Sequence, residues 1–149
     1  EAWSRPGPDL KNWTDRNNMT ANGSVVTGEG EWSLYISEHY RHDDHRIRRL
    51  TVRKQGFASM HGDAKGGTFT TKPMVVSGAS LHLNYATSAA GSVGIEVLDE
   101  TGKVVAELKE LYGDDFDAPA LDLASLKGKT VRLRVSLKDA DLYALRFGE

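Results

Sequence analysis

From residue 31 onward the chain alternates apolar and polar positions with a period of two, the pattern of strands that bury one face. The clearest case is "TVRLRVSLK", where Val131, Leu133, Val135 and Leu137 point one way and Arg132, Arg134, Ser136 and Lys138 the other, as in antiparallel sheet. "EWSLYIS" does the same, with Trp32, Leu34 and Ile36 on the predicted inner face and Ser33, Tyr35 and Ser37 opposite. In "RIRRLTVRK", Ile47 is out of step with Leu50 and Val52, which predicts a bulge or a strand that starts near Arg49. Further short strands are expected in "GFASMHG", "GGTFTTKPMVV", "SLHLNYA", "GSVGIEVLD", "KVVAELKE" and "DLYALRFG". "DETGK" reads as a turn with Gly102 at a positive φ, and "DLASLKGK" as a single helical turn capped by Asp122 and ended by Gly128. About nine short strands with closely spaced turns and almost no helix predict an all-β fold, an antiparallel, jelly-roll-like β-sandwich.

The first thirty residues break this pattern. "SRPGPDLKNWTDRNNMTANGS" is rich in Gly, Pro, Asn and Ser, and predicts an irregular lead-in over 1–30 before a sandwich over 31–149. Trp3 and Trp13 stand out there as large aromatics in a polar segment, which usually dock on a neighbouring surface. With 149 residues and 39% hydrophobic content, one core is the expectation. A chain that starts at Glu1 with no signal-peptide pattern reads as a mature or excised piece.

A net charge of −2 argues against general polyanion or nucleic-acid binding, so any basic patch is local. No run of about 18 apolar residues occurs, so no membrane partner is expected. The absence of cysteine removes disulfides, thiolate zinc sites and cysteine nucleophiles together.

One stretch is dense in chemistry. "YRHDDHRIRR" carries four arginines, two histidines and two aspartates in ten positions. His39, His42 and His45 have the count of ligands a catalytic zinc needs, yet the neighbouring arginines would repel a divalent cation, and Asp43 and Asp44 read as their ion-pair partners. A glycan suits the stretch better: aromatic faces stack on sugar rings, planar polar groups bond hydroxyls, and a forked guanidinium suits sulfate or carboxylate. The candidate ligand-binding residues are Tyr40, Arg41, His42, Asp44, His45, Arg46, Arg48 and Arg49. The plainer alternative is a solvated, charged strand face that discourages edge pairing. A structural calcium site is the candidate at Asp114, Asp115 and Asp117 in "GDDFDAP", read as an irregular acidic loop; no other cofactor is expected. No catalytic residue is picked out. A Gly-x-Ser-x-Gly elbow and a phosphate loop are both missing, and no acidic pair sits in a signature.

From about Trp32 to the end, the phrases "SEHY", "RIRR", "TTKP", "LNYATSAAGS" and "KDADLY" resemble the C-terminal β-sandwich region of glycoside hydrolase family 32-like bacterial proteins. In that family a five-bladed propeller with the catalytic machinery precedes the sandwich. The resemblance implies a secreted or periplasmic, non-catalytic accessory domain of a polysaccharide-degrading enzyme. Its partners would be a polysaccharide, expected to be sulfated or uronic-acid-bearing, and the catalytic domain of the parent enzyme. Two other classes stay open. One is a structural sandwich that packs on the propeller through Trp3, Trp13 and the lead-in, and the other a small lyase or hydrolase served by His39, Tyr40 and Arg41.

Overall fold

The computed structural model describes residues 4–149, so Trp3 lies outside the described residues. The fold is all-β, an antiparallel sandwich, with two short 3₁₀ turns as its helical content among the described residues. The chain divides into two compact units, Glu1–Phe57 and Ala58–Glu149.

In the first unit a 3₁₀ turn, Leu10–Trp13, precedes three strands: β1 (Val25–Gly28), β2 (Glu31–Glu38) and β3 (Arg46–Arg53). They form a sheet in the order β1-β2-β3, all antiparallel. The expected boundary after residue 30 does not coincide with the unit. Asn18 and Ala21 donate their backbone N–H to the carbonyls of Ser37 and Tyr35, and β1 pairs with β2. Backbone groups of a lead-in must find partners, and these found them on the open edge of β2.

Between β2 and β3 the register is unbroken from Glu31↔Arg53 to Glu38↔Arg46, so the bulge expected at Ile47 is absent. Ile47 instead shares the outward face with Arg49 and Thr51 and is 63% exposed, while Val52 and Ile36 are buried on the other face. An apolar residue on a solvent face broke the pattern, not the backbone.

The second unit is built on two strands of 19 residues, β7 (Ser80–Leu98) and β10 (Thr130–Gly148). The remaining strands are β4 (Met60–Gly62), β5 (Gly67–Thr70), β6 (Met74–Val75), β8 (Val104–Leu111) and β9 (Asp114–Asp122). Four of the expected short strands are therefore halves of two long ones. One half of the β7/β10 pair is flanked by β4 and β9, the other by β5, β6 and β8. Residues of both halves meet in one buried cluster, among them Leu81, Leu83, Val93, Ile95, Val97, Leu133, Val135 and Leu137. That is how a long ribbon makes two layers around one core.

The corner lies where Thr87 pairs with Ala140 but Ser92 with Lys138, so residues 88–91 oppose Asp139. Asp139 has φ +42°, and a Cβ at Gly91 would lie 2.2 Å from its carbonyl oxygen. Glycine is required for that close approach. The turn at Gly102 has the expected positive φ, +86°. At "DLASL" a 3₁₀ turn over Ala124–Leu126 forms, with Ala124 N–H donating to Asp122 and Leu123 and Leu126 buried. The acidic segment expected as a loop is the edge strand β9, a position that tolerates Pro119.

Candidate functional site

The charged stretch closes β2 onto β3, and its centre is His39 rather than the arginines. His39 is 3% exposed and lies between two carboxylates: Nδ1 is 2.8 Å from Asp44 Oδ2, and Nε2 is 2.8 Å from Asp9 Oδ2. Its backbone N–H donates to Oδ1 of buried Asn12. The 3₁₀ turn of the lead-in is thus fastened to the β2–β3 connection, and Asp9 caps that turn by accepting from Lys11 N–H.

Around this clasp the charges pair off. Lys11 Nζ is 2.9 Å from Asp44. Lys11 and then His39 hold the Asp44 carboxyl down to about 2, and the Lys11 N–H and His39 lower that of Asp9. Glu38, 3% exposed, accepts from Arg46 Nε at 2.9 Å and Arg48 Nη1 at 3.0 Å. Burial pushes its carboxyl up, but the two guanidinium groups outweigh burial and leave it below the usual range.

Tyr40 is half-buried. Its N–H donates to Asn17, Arg16 donates to its hydroxyl at 2.9 Å, and the guanidinium carbons of Arg16 and Arg41 sit 5.4 and 5.9 Å from its ring centroid. Arg41 also reaches Asp15 at 3.3 Å. His45 meets the Tyr40 ring edge-on and bonds Ser37 Oγ at 3.0 Å. His42 donates its backbone N–H to the His39 carbonyl, and its Nε2 is buried with no hydrogen-bond partner. Arg49 bonds Ser33, Thr27 and Glu31 on the opposite face of β3 from Arg46 and Arg48.

The eight predicted residues therefore do not share one face, and the expectation that the aspartates serve the arginines is corrected for Asp44. Its partners are Lys11 and His39. His39, grouped with His42 and His45 as a possible zinc set, is held instead between two carboxylates. Pattern reading missed Asp9, Asn12, Arg16 and Asn17, because these contacts join positions 23–30 residues apart. It also missed the role of Glu38, whose two arginines lie 8 and 10 residues on, across the β2–β3 connection.

The backbone carries a further signal. Arg16 (φ +61°), Asn18 (+55°), His39 (+55°) and Arg41 (+71°) are left-handed, four of the six such non-glycine residues among those described. Each costs about 1–3 kcal/mol when held there. Strain concentrated around buried Glu38 and His39 marks a surface whose shape is fixed against local preference.

Chemically, neither His39 nitrogen is open to a substrate or metal. No group of three or more His, Asp or Glu side chains among the described residues is placed to hold a metal ion. Of the calcium candidates, Asp117 is bound by Arg146, with Nε 2.7 Å from Oδ1 and Nη2 2.6 Å from Oδ2, and Asp115 accepts from the Asp117 N–H. Asp114 opens β9. Among the described residues no helix is long and apolar enough to cross a membrane. Comparison of the chain with protein-family models, curated proteins and solved structures finds no match.

Proposed function

We propose that the chain is a non-catalytic carbohydrate-binding module of a secreted polysaccharide-degrading enzyme. It takes an anionic glycan on the surface of the first unit that carries Trp13, Tyr40, Arg41, Arg46 and Arg48. The observation that supports this is the strained clasp around buried His39, which ties the polar side chains of the lead-in to the β2–β3 connection before any ligand arrives. Preorganised donors lose less entropy on binding. Arg46 and Arg48 remain 52% and 60% exposed while fixed to Glu38, and a guanidinium has five N–H donors, so most are left for a sulfate or carboxylate. Trp13 is 66% exposed with its indole edge pinned by Nε1–H donating to Gly7 O at 2.8 Å, which leaves a ring face for a sugar. One residue on, Thr14 donates to the Tyr40 carbonyl.

Affinity electrophoresis against neutral, carboxylated and sulfated polysaccharides tests the reading. Retardation by the anionic gels alone, weakened by salt and by Trp13→Ala or Arg46→Ala with Arg48→Ala, is expected. Free migration through every gel at low salt refutes it.

A second reading, a structural sandwich that packs on a catalytic propeller, is favoured by one observation. Leu10 and Met19 of the lead-in and Val25 and Val26 of β1 are 82%, 60%, 54% and 69% exposed, apolar side chains that a covering domain would take out of water. It predicts binding to the parent catalytic domain in trans, abolished by Val26→Asp.

A further inference from the structure

A basic, hydroxyl-lined groove crosses the outer face of the second unit, and we infer that it binds a segment of acidic polysaccharide. This inference rests on the glycan-binding reading above and gives it a second contact surface. In this half of the sandwich Val93, Ile95, Val135 and Leu137 point into the core, so their sequence neighbours point out. Thr68 on β5 pairs with Ser136 on β10, which pairs with Gly94 on β7, and in the next row Lys138 pairs with Ser92. These residues line a groove of about 400 Å³, together with Lys65, Gly66 and Gly67 on one side and Lys109 on the other. That volume is within the range of ordinary ligand sites, about 300–1,000 Å³.

The floor is low for a structural reason. A Cβ at Gly94 would lie 2.9 Å from the Lys109 carbonyl oxygen, so the close approach of β8 keeps that position bare. Ser92, Ser136 and Thr68 add short hydroxyls, which both donate and accept.

Among the lining residues the charge is all positive. Lys65 and Lys138 make no ion pair among the described residues, and Lys109 is only loosely held, 3.9 Å from Glu107. Next along the face, Arg134 and Glu96 neutralise each other at 2.8 Å. Three ammonium groups around one groove are therefore concentrated in a chain whose net charge is −2. No aromatic side chain lines the groove, so stacking on a neutral sugar is not on offer, and charge with hydroxyl bonding must carry recognition. The groove spans the four strands β5, β10, β7 and β8, about 15 Å at the usual strand spacing, longer than a single inorganic anion needs. A chain of uronate or sulfated sugars meets all three requirements.

The test uses the intact chain with sodium polygalacturonate, dextran sulfate, neutral dextran and sodium sulfate as probes. Affinity is read by gel retardation, and the location by amide chemical shifts. Replacing Lys65, Lys109 and Lys138 together by Gln is expected to weaken binding to an acidic polymer about tenfold, from three exposed charge contacts, while Arg at all three restores it. Shifts are expected at 65–68, 92–94, 109 and 136–138. If the Gln variant keeps wild-type affinity while Arg46→Gln with Arg48→Gln loses it, the groove inference is overturned and the first surface stands. Failure of the wild-type chain to bind any acidic polymer at low salt brings down both. Shifts with sulfate alone and none with the polymers mean an ion site only, and also overturn the inference.

Discussion

Replacing Glu38 by Gln keeps the shape of the side chain and removes its charge, leaving Arg46 and Arg48 bonded to a neutral amide. The Glu38 side chain is 4% exposed and the Arg46 and Arg48 side chains 52% and 60%, so each pair is buried at one end and wet at the other. Fully buried charge-assisted bonds contribute about 1.5–3 kcal/mol each, and exposed ones about 0.2–1. Taking about 1 kcal/mol for each of the two bonds, the substitution costs about 2 kcal/mol. All three tryptophans precede residue 58, so their fluorescence in a urea titration reports the first unit. With a slope near 1 kcal/mol/M for so small a unit, the midpoint should fall by about 2 M. Glu31→Gln is the control, since that pair with Arg49 is 41% and 48% exposed and should cost no more than about 1 kcal/mol. The pH dependence has a definite sign. Because the folded-state value of Glu38 is lowered from 4.5, its stabilisation is present above pH 4.5 and is lost as pH falls below it toward the folded value. Glu38→Gln should flatten that acid limb. A midpoint equal to that of Glu31→Gln, or an unchanged acid limb, refutes the argument.

His39→Gln should release the lead-in from the β2–β3 connection, since both ring nitrogens lose their carboxylates; limited proteolysis should then cut within 4–20 at least tenfold faster, and equal rates would contradict the clasp. The Asp44 carboxyl, lowered from 3.8 to about 2, stabilises the fold above pH 3.8 and loses that effect as pH falls toward 2, so amide exchange across residues 9–44 should quicken in that window and should not in Asp44→Asn. In the second unit, Leu133→Ala empties a fully buried position between the layers and should cost about 2–5 kcal/mol, read as a lowered far-UV dichroism midpoint.

Much of the sandwich was legible in the chain. Val131, Leu133, Val135 and Leu137 alternate because one face of β10 meets the core and the other meets water, and periodicity records that difference directly. Turn glycines such as Gly102 were legible for an equally local reason, a positive φ. The continuity of β7 and β10 was not. Residues 87–90 and 139–140 fall between the expected strands, yet the close approach of Gly91 to Asp139 bends paired strands without ending them. Strand β9 was missed because an edge strand needs only one hydrogen-bonded neighbour and tolerates Asp and Pro on its open side.

For the candidate site the division is sharper. The sequence by itself determined that charge is concentrated at Tyr40 to Arg49 and that this stretch connects two strands of an all-β chain. Only the tertiary structure decided which charges meet. Asp9 and Asn12 reach His39 across 30 and 27 residues, and Glu38 claims two arginines that would otherwise face water unpaired. The physical reason is that an alternating pattern encodes which face a side chain takes, whereas an ion pair depends on distance in space, which the chain sets only after its backbone has closed.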